Sequence, residues 1–217
     1  MAEILQGRDP REWGITDVQE VKQFFDCLGK HVIYFGGYGE LGYESKEYVR
    51  GIIVDILERR EPGRVVVHTG TLLRLGGHAG IADVYSIAHE LGIETTGIYP
   101  SVAMNFGDTH QVSPDCDHPF FIEDKSWGGF IDSDRQASPT LKLHLAVSNE
   151  LIMIGGGQHA ADELEAFLCA KKKVKFFPAE MHHETSRQWS EAAGADIRDM
   201  RGAAHQLWLA RTAMRRL

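Results

Sequence analysis

No stretch of this chain constrains its fold more than residues 149–167. It opens with Leu151-Ile152-Met153-Ile154, an apolar run of the length and composition of a buried strand. Gly155-Gly156-Gly157 follow, and then the period changes. Ala161, Leu164 and Leu168 fall at helical spacing, with Glu163 and Glu165 between them. Strand, glycine turn and helix bring backbone N–H groups and a helix N-terminus to one point, where an anion can sit. Glycine suits that point because a Cβ would bar a ligand phosphate from the backbone or forbid the turn. A tight βα turn needs no ligand, so the functional weight comes from further glycine turns earlier in the chain.

Those turns emerge in order along the sequence. Residues 1–15 carry Gly7, Pro10 and Gly14 without periodicity and read as a surface arm. Thr16 and Gln19 form a capping-box pattern, heading a helix on Val18, Val21, Phe25 and Leu28 that Gly29 stops. Val32-Ile33-Tyr34-Phe35 predicts a first strand running into Gly36-Gly37-Tyr38-Gly39. Ser45 is a candidate N-cap for a helix striped by Val49, Ile52, Ile53 and Ile56. Val65-Val66-Val67 predicts a second strand, followed by a loop through Gly76-Gly77-His78-Ala79-Gly80 and a helix on Ile81, Val84, Ala88 and Leu91. Thr95–Tyr99 and Phe120-Phe121-Ile122 predict further strands, separated by an irregular 101–119 segment longer than a usual connection. A helix is expected within 132–148, a last strand at 174–177, and a terminal helix with Arg215 and Arg216 at its end. Lys171-Lys172-Lys173 reads as a solvated helix end.

Alternating strands and helices imply an α/β fold: a mainly parallel, Rossmann-like sheet with helices on both faces, in a single domain. Ligands in such sheets bind beyond the carboxyl ends of the strands, and the turns after Phe35, Val67 and Ile154 all lie there. Composition narrows the function. A net charge of −8 argues against a protein that holds nucleic acid by its phosphates, yet leaves small anionic ligands open. No apolar run approaches a membrane span, and the N-terminal residues lack a secretory core, so a cytoplasmic protein without membrane partners is expected. Three widely spaced cysteines suggest neither a disulfide framework nor a zinc site. His182-His183-Glu184 and Asp115-Cys116-Asp117-His118 lack strong metal spacing, so neither metal nor cofactor is expected.

Taken together, these segments resemble the LOG family, the cytokinin riboside 5′-monophosphate phosphoribohydrolases long labelled "lysine decarboxylases", within the SLOG superfamily of Rossmann-like nucleotide binders. Tyr34-Phe35-Gly36-Gly37 is similar to the family's first strand and turn. Gly76-Gly77-His78-Ala79-Gly80-Ile81 and Gly97-Ile98-Tyr99-Pro100 are similar to its second turn and the strand after it. Residues 155–163 align with its Pro-Gly-Gly-x-Gly-Thr-x-x-Glu hallmark, and Arg135 stands near the place of its arginine. The resemblance spans roughly residues 31–178, with an arm and covering helix at 1–30 and a helical tail at 179–217.

The departures are at chemically important places. Gly155, His159 and Ala160 replace the hallmark's proline, glycine and threonine, removing a hydroxyl donor and narrowing the approach to a phosphate. His159 can donate to phosphate instead. By resemblance, Glu163 would stabilise an oxocarbenium-like state and position water, while Arg135 would anchor phosphate or assist the leaving base. Without the resemblance, Glu163 is a first-turn acid complementing a helix dipole and Arg135 a solvated cation.

The expected site therefore comprises Gly36, Gly37, Gly76, Gly77, Gly80, Gly155, Gly156, Gly157 and His159 for a nucleotide or related phosphate ligand, with Arg135 and Glu163 as catalytic candidates. Three readings follow: a nucleotide-type binding protein, a phosphoribohydrolase, or a partner-binding protein on a decayed nucleotide fold. The altered hallmark favours the first over the second, and the repeated glycine turns disfavour the third. By the same resemblance a homodimer or higher homo-oligomer is expected, burying apolar helices with Trp189 and Trp208.

Overall fold

The computed structural model describes residues 7–78, 80–131, 134–193 and 200–214. Ala79 and the two terminal arginines, Arg215 and Arg216, lie outside them, as does the start of the arm. Six strands form one sheet: β1 (His31–Gly37), β2 (Val65–Thr69), β4 (Glu94–Pro100), β6 (His118–Ile122), β7 (Glu150–Ile154) and β8 (Lys173–Phe177). Their order is β6-β4-β2-β1-β7-β8, and every neighbouring pair is parallel. A two-stranded antiparallel ribbon, β3 (Leu73–Arg74) with β5 (His110–Gln111), stands apart from the sheet. The chain leaves β1 toward β2, β4 and β6, then returns to β7 on the other side of β1. The crevice between β1 and β7 is thus the topological switch point, where doubly wound sheets take their ligands.

Helices cover both faces. Ile33, Phe35, Val65, Val67, Ile152 and Ile154 pack with α2 (Lys46–Leu57) and α3 (Asp83–Glu90) on one side. Their alternates point the other way. Val32, Val66 and Ile98 meet α1 (Val18–Leu28) and α4 (Pro139–Val147), while Tyr34, Leu151 and Met153 meet α5 (Gln158–Cys169) and α7 (Gly202–Met214). This strict alternation is the period-2 geometry of strands buried on both faces. The remaining helix, α6 (His183–Ala193), precedes α7.

Local chemistry sets the element ends. Asp17, rather than Thr16, caps α1 by accepting from the Gln19 N–H at 2.7 Å, and Gly29 ends it at φ +60°. Ser45 caps α2 as its sequence implies. The helix expected within 132–148 is only α4, begun by Ser138 with Pro139 in its first turn. The arm joins the β6 edge, since Thr16 N–H donates to the Phe121 carbonyl at 2.6 Å. The lysine triplet follows the end of α5 with Lys171 and Lys173 exposed, as expected, yet two of its side chains also make fixed contacts. Lys173 opens β8 and reaches the fully buried Glu150 at 2.7 Å, while Lys172 donates to the Ser148 carbonyl at 2.8 Å. Arg60 and the His31 ring also meet Glu150, at 2.6 and 3.1 Å; burial pushes its carboxyl up, but Lys173 first, then Arg60 and the His31 hydrogen bond, hold it below the usual range.

The 76–80 turn has a packing role. Gly80 sits at φ +57°, and a Cβ there would lie 2.1 Å from the Gly39 carbonyl oxygen and 2.3 Å from that of Tyr38. Ile81 N–H donates to the same Tyr38 carbonyl at 2.7 Å. Gly76 has a similar φ of +69° but open space around it. Gly76→Ala is therefore expected to cost about 1 kcal/mol, the left-handed backbone penalty alone. Gly80→Ala should cost distinctly more, at least ~2 kcal/mol, because the clash adds to it. Urea unfolding of the two variants checks the order; equal losses would show that the Gly80 contact is not a constraint.

Candidate functional site

A cavity of about 510 Å³ opens at the carboxyl ends of β1, β2, β4 and β7. That volume is within the range of small-molecule sites. Its floor is the end of β1 at Gly36 and Gly37 with Tyr38 and Gly39 just after it, and Gly70–Leu72 beyond β2, with Tyr99 and Pro100 ending β4. The first turn of α5, from Gly157 to Ala160 together with Glu163, forms one wall. Glu40, His110, Trp127 and Trp189 contribute to the rest.

The two strand ends beneath the cavity are locked together by one hydroxyl. Tyr43 Oη donates to the Ile154 carbonyl at 2.9 Å and accepts from the Tyr38 N–H at 3.1 Å. A Cβ on Gly37 would fall 2.0 Å from that oxygen. Across the crevice, Gly155 and Gly156 turn the chain at φ +58° and +126°, conformations that side chains seldom adopt. Gly156 accepts at its carbonyl from the Ala204 N–H at 3.1 Å, so the start of α7 braces the turn. Gly157 then begins α5 with no side-chain cap, and no atom lies within 4 Å of where its Cβ would be. Gly157, Gln158, His159 and Ala160 all line the cavity.

Glu163 is the most perturbed acid on these walls. Burial drives its carboxyl up to about 7, helped by the charge of Asp162 and opposed by the hydrogen bond it accepts from Tyr34 Oη at 2.6 Å. Gly36 makes the approach possible, because a Cβ there would be 3.3 Å from Glu163 Oε2 and 2.7 Å from Met153 Cε. Tyr34 is itself held by two buried histidines, His68 and His144, each stacked on its ring at 4.5 Å. Desolvation keeps both imidazoles neutral, with His144 down to about 3. His144 Nε2 stands just behind Gly70, 3.1 Å from that residue's Cβ position.

Of the residues marked by sequence, Gly36, Gly37, Gly157, His159 and Glu163 line the cavity. Gly155 and Gly156 shape the turn behind it, and Gly76, Gly77 and Gly80 stand off its wall, with Gly80 beneath the Tyr38–Gly39 backbone. Arg135 is outside. It is exposed, at φ +55°, paired with Glu165 and placed over the Phe130 ring at 4.4 Å. Glu165 is also held by Arg211 of α7 at 2.8 Å. Sequence reasoning passed over Tyr34, Glu40, His110 and Trp127. Tyr34 alternates with core residues and looks like one of them, and the others meet only when distant loops fold together. Among the described residues no group of three His, Cys, Asp or Glu is placed to hold a metal ion, and no helix is long and apolar enough to cross a membrane.

Comparison with known proteins adds distant structural likenesses. The Moco carrier protein from Chlamydomonas reinhardtii is similar at 18% identity and a TM-score of 0.46, over 87% of this chain and 99% of that one. TM1055, solved by X-ray as a structural-genomics target, is similar at 17% identity and 0.46, over 66% and 72%. No family model matches the sequence, and no curated protein does. The Rossmann-like assignment stands on the sheet order itself.

Glu163 supplies a test of the site's electrostatics. Its folded value is raised above the ordinary carboxyl value near 4.5, so its contribution to stability is full below that value and is lost as pH rises through about 7. Glu163→Gln cannot ionise and keeps an acceptor for Tyr34. The variant should match wild type near pH 4.5 and exceed it by about 1–3 kcal/mol above pH 7.5. Denaturant unfolding across that range checks this; a stability difference independent of pH would show that Glu163 titrates normally.

Proposed function

We propose that the cavity binds a nucleotide or a nucleotide-derived small molecule, with its phosphate at the start of α5. The observation that carries this is the crevice between β1 and β7, where glycine-built strand ends meet an uncapped helix N-terminus. No lysine or arginine lines the cavity among the described residues, so the anion would be held by the amides of Gln158, His159 and Ala160 and by the His159 ring. Partial charges of this kind bind a phosphate without a neutralising cation, and they fit the loss of the hallmark threonine.

A second reading is supported by Glu163. A carboxyl near 7, reachable past Gly36 and hydrogen-bonded by a phenol, is poised to give or take a proton at neutral pH. In an N-glycosidic phosphoribohydrolase its ionised form would stabilise the oxocarbenium-like state and orient water. Arg135 would need another arrangement of its loop to take part.

Calorimetry with nucleoside 5′-monophosphates and sugar phosphates tests the binding reading, and release of free base tests the second. Gly157 has φ −81° and free space, so Gly157→Val folds, losing about 1 kcal/mol at the cap, and places its methyls before the amides. It should abolish binding. Glu163→Gln should keep affinity and, if the chain is a hydrolase, lower turnover by ~100-fold or more. Equal and negligible affinity for every phosphate in both wild type and Gly157→Val would leave the glycines as turns and favour a partner-binding protein.

A further inference from the structure

The helix α6 is fastened to this molecule unlike the other α-helices. None of its described side chains joins an apolar cluster of the core, whereas α1 to α5 and α7 each contribute to one. The side chains it buries are Ser186 and Ser190, and its one large apolar side chain, Trp189, is 46% exposed. Trp189 nevertheless lines the cavity, with the Arg74 guanidinium 5.6 Å from its ring centre. Arg74 in turn donates to Glu40 of the cavity wall at 3.0 Å. An element with so little apolar contact opens at small cost. Its attachment also permits movement. Met181, just before α6, donates its N–H to the carbonyl of Met200, beyond it, at 2.8 Å, and both methionines pack in the core. The chain thus leaves the core for α6 and returns to it at one point.

The start of α6 is held by an imidazole. His182 directly precedes the helix, and its Nδ1 accepts from the Thr185 N–H at 3.3 Å and from the Thr185 hydroxyl at 2.9 Å. That is the N-cap role usually filled by Ser, Thr, Asp or Asn. Only the neutral ring, protonated at Nε2 alone, can fill it. A proton on Nδ1 leaves the amide without its acceptor and puts positive charge at a helix N-terminus, where the dipole disfavours it. The ring also faces His78 of the 76–80 turn, with centroids 4.2 Å apart, so a second protonation sets like charges together. Burial, His182 and Lys46 hold the His78 imidazole below its usual value. The acids nearby act in the opposite sense. His183 donates its N–H to Glu44 at 2.8 Å, and its ring meets Glu180 at 2.8 Å and Glu44 at 3.6 Å, contacts that protonation strengthens. Glu44 also attracts His182 and Arg187. That attraction is shared among three cations, while the cap loses its acceptor outright.

We propose that α6 is a lid on the cavity, latched shut by neutral His182 and released when that ring is protonated. Closure is favoured at high pH and lost as pH falls, because the open state takes up the proton more readily. The inference concerns access to the cavity and holds whatever occupies it.

Hydrogen exchange of the intact chain, without ligand and corrected for the intrinsic pH dependence of exchange, reads the latch in the 183–193 amides. Their protection should fall roughly tenfold from about pH 8 to about pH 5, the span over which imidazoles change charge, while α5 keeps its own. His182→Asn retains a capping acceptor that does not titrate, and should keep α6 protected across the range. His183→Gln removes the opposing contact and should deepen the loss at low pH. The emission that disappears in Trp189→Phe belongs to Trp189, and its quenching by acrylamide should rise as the lid opens. Protection of α6 that ignores pH would overturn the latch, as would a loss in His182→Asn equal to that of wild type. Lost protection with Trp189 no more open to acrylamide would mean a fraying helix end and overturn the lid.

Discussion

The carboxyl edge of this sheet depends on the Tyr43 hydroxyl. Two parallel strands that diverge at a topological switch point leave unpaired backbone groups beyond their last ladder bond, and buried groups of that kind are costly. Tyr43 satisfies one from each side, the Tyr38 N–H and the Ile154 carbonyl, inside the core. Its position forbids any side chain at Gly37, and the Tyr38 carbonyl that follows takes the Ile81 N–H across Gly80. The glycines after β1 and before α3 are thus fixed by one packing problem. The cavity floor built this way exposes backbone at Gly36, Gly37, Gly39 and Gly70, between the side chains of Tyr38, Thr71, Leu72 and Tyr99.

Above that floor the chemistry is set by desolvation. From half-buried Glu163 on the cavity wall, contacts run through the buried Tyr34 to the buried His68 and His144 against the sheet face. With both imidazoles kept neutral, no cation among the described residues lowers the Glu163 carboxyl. The acid consequently changes charge near neutral pH, and a ligand that brings a donor to it would hold the ionised form. The proposed binding by helix amides and the proposed proton transfer by Glu163 would draw on the same cavity wall.

Much of the fold was legible because local and tertiary signals agree. The apolar runs at 32–35, 65–67 and 151–154 are buried strands, and Gly29 and Ser45 end and begin helices as their chemistry demands. The lining of the candidate cavity was legible only at the end of β1 and the start of α5, at Gly36, Gly37, Gly157, His159 and Glu163. Gly76–Gly80 and Gly155–Gly157 look alike in sequence because a turn that accommodates backbone and a turn that admits a ligand both need glycine. Arg135 could not be placed from its spacing, since the loop from Glu123 to Ser138 is tied down by Asp124 and Asp162 through contacts distant in sequence. Glu40, His110 and Trp127 meet across three loops, and no local pattern records such a meeting.

We propose a phosphate at the start of α5, over the β1–β7 crevice. Crystals grown with a nucleoside 5′-monophosphate or ribose 5-phosphate test it. Phosphate density is expected about 3 Å from the amides of Gln158, His159 and Ala160. Density lodged at the 76–80 turn or beside Arg135, with the α5 amides bare, would contradict it.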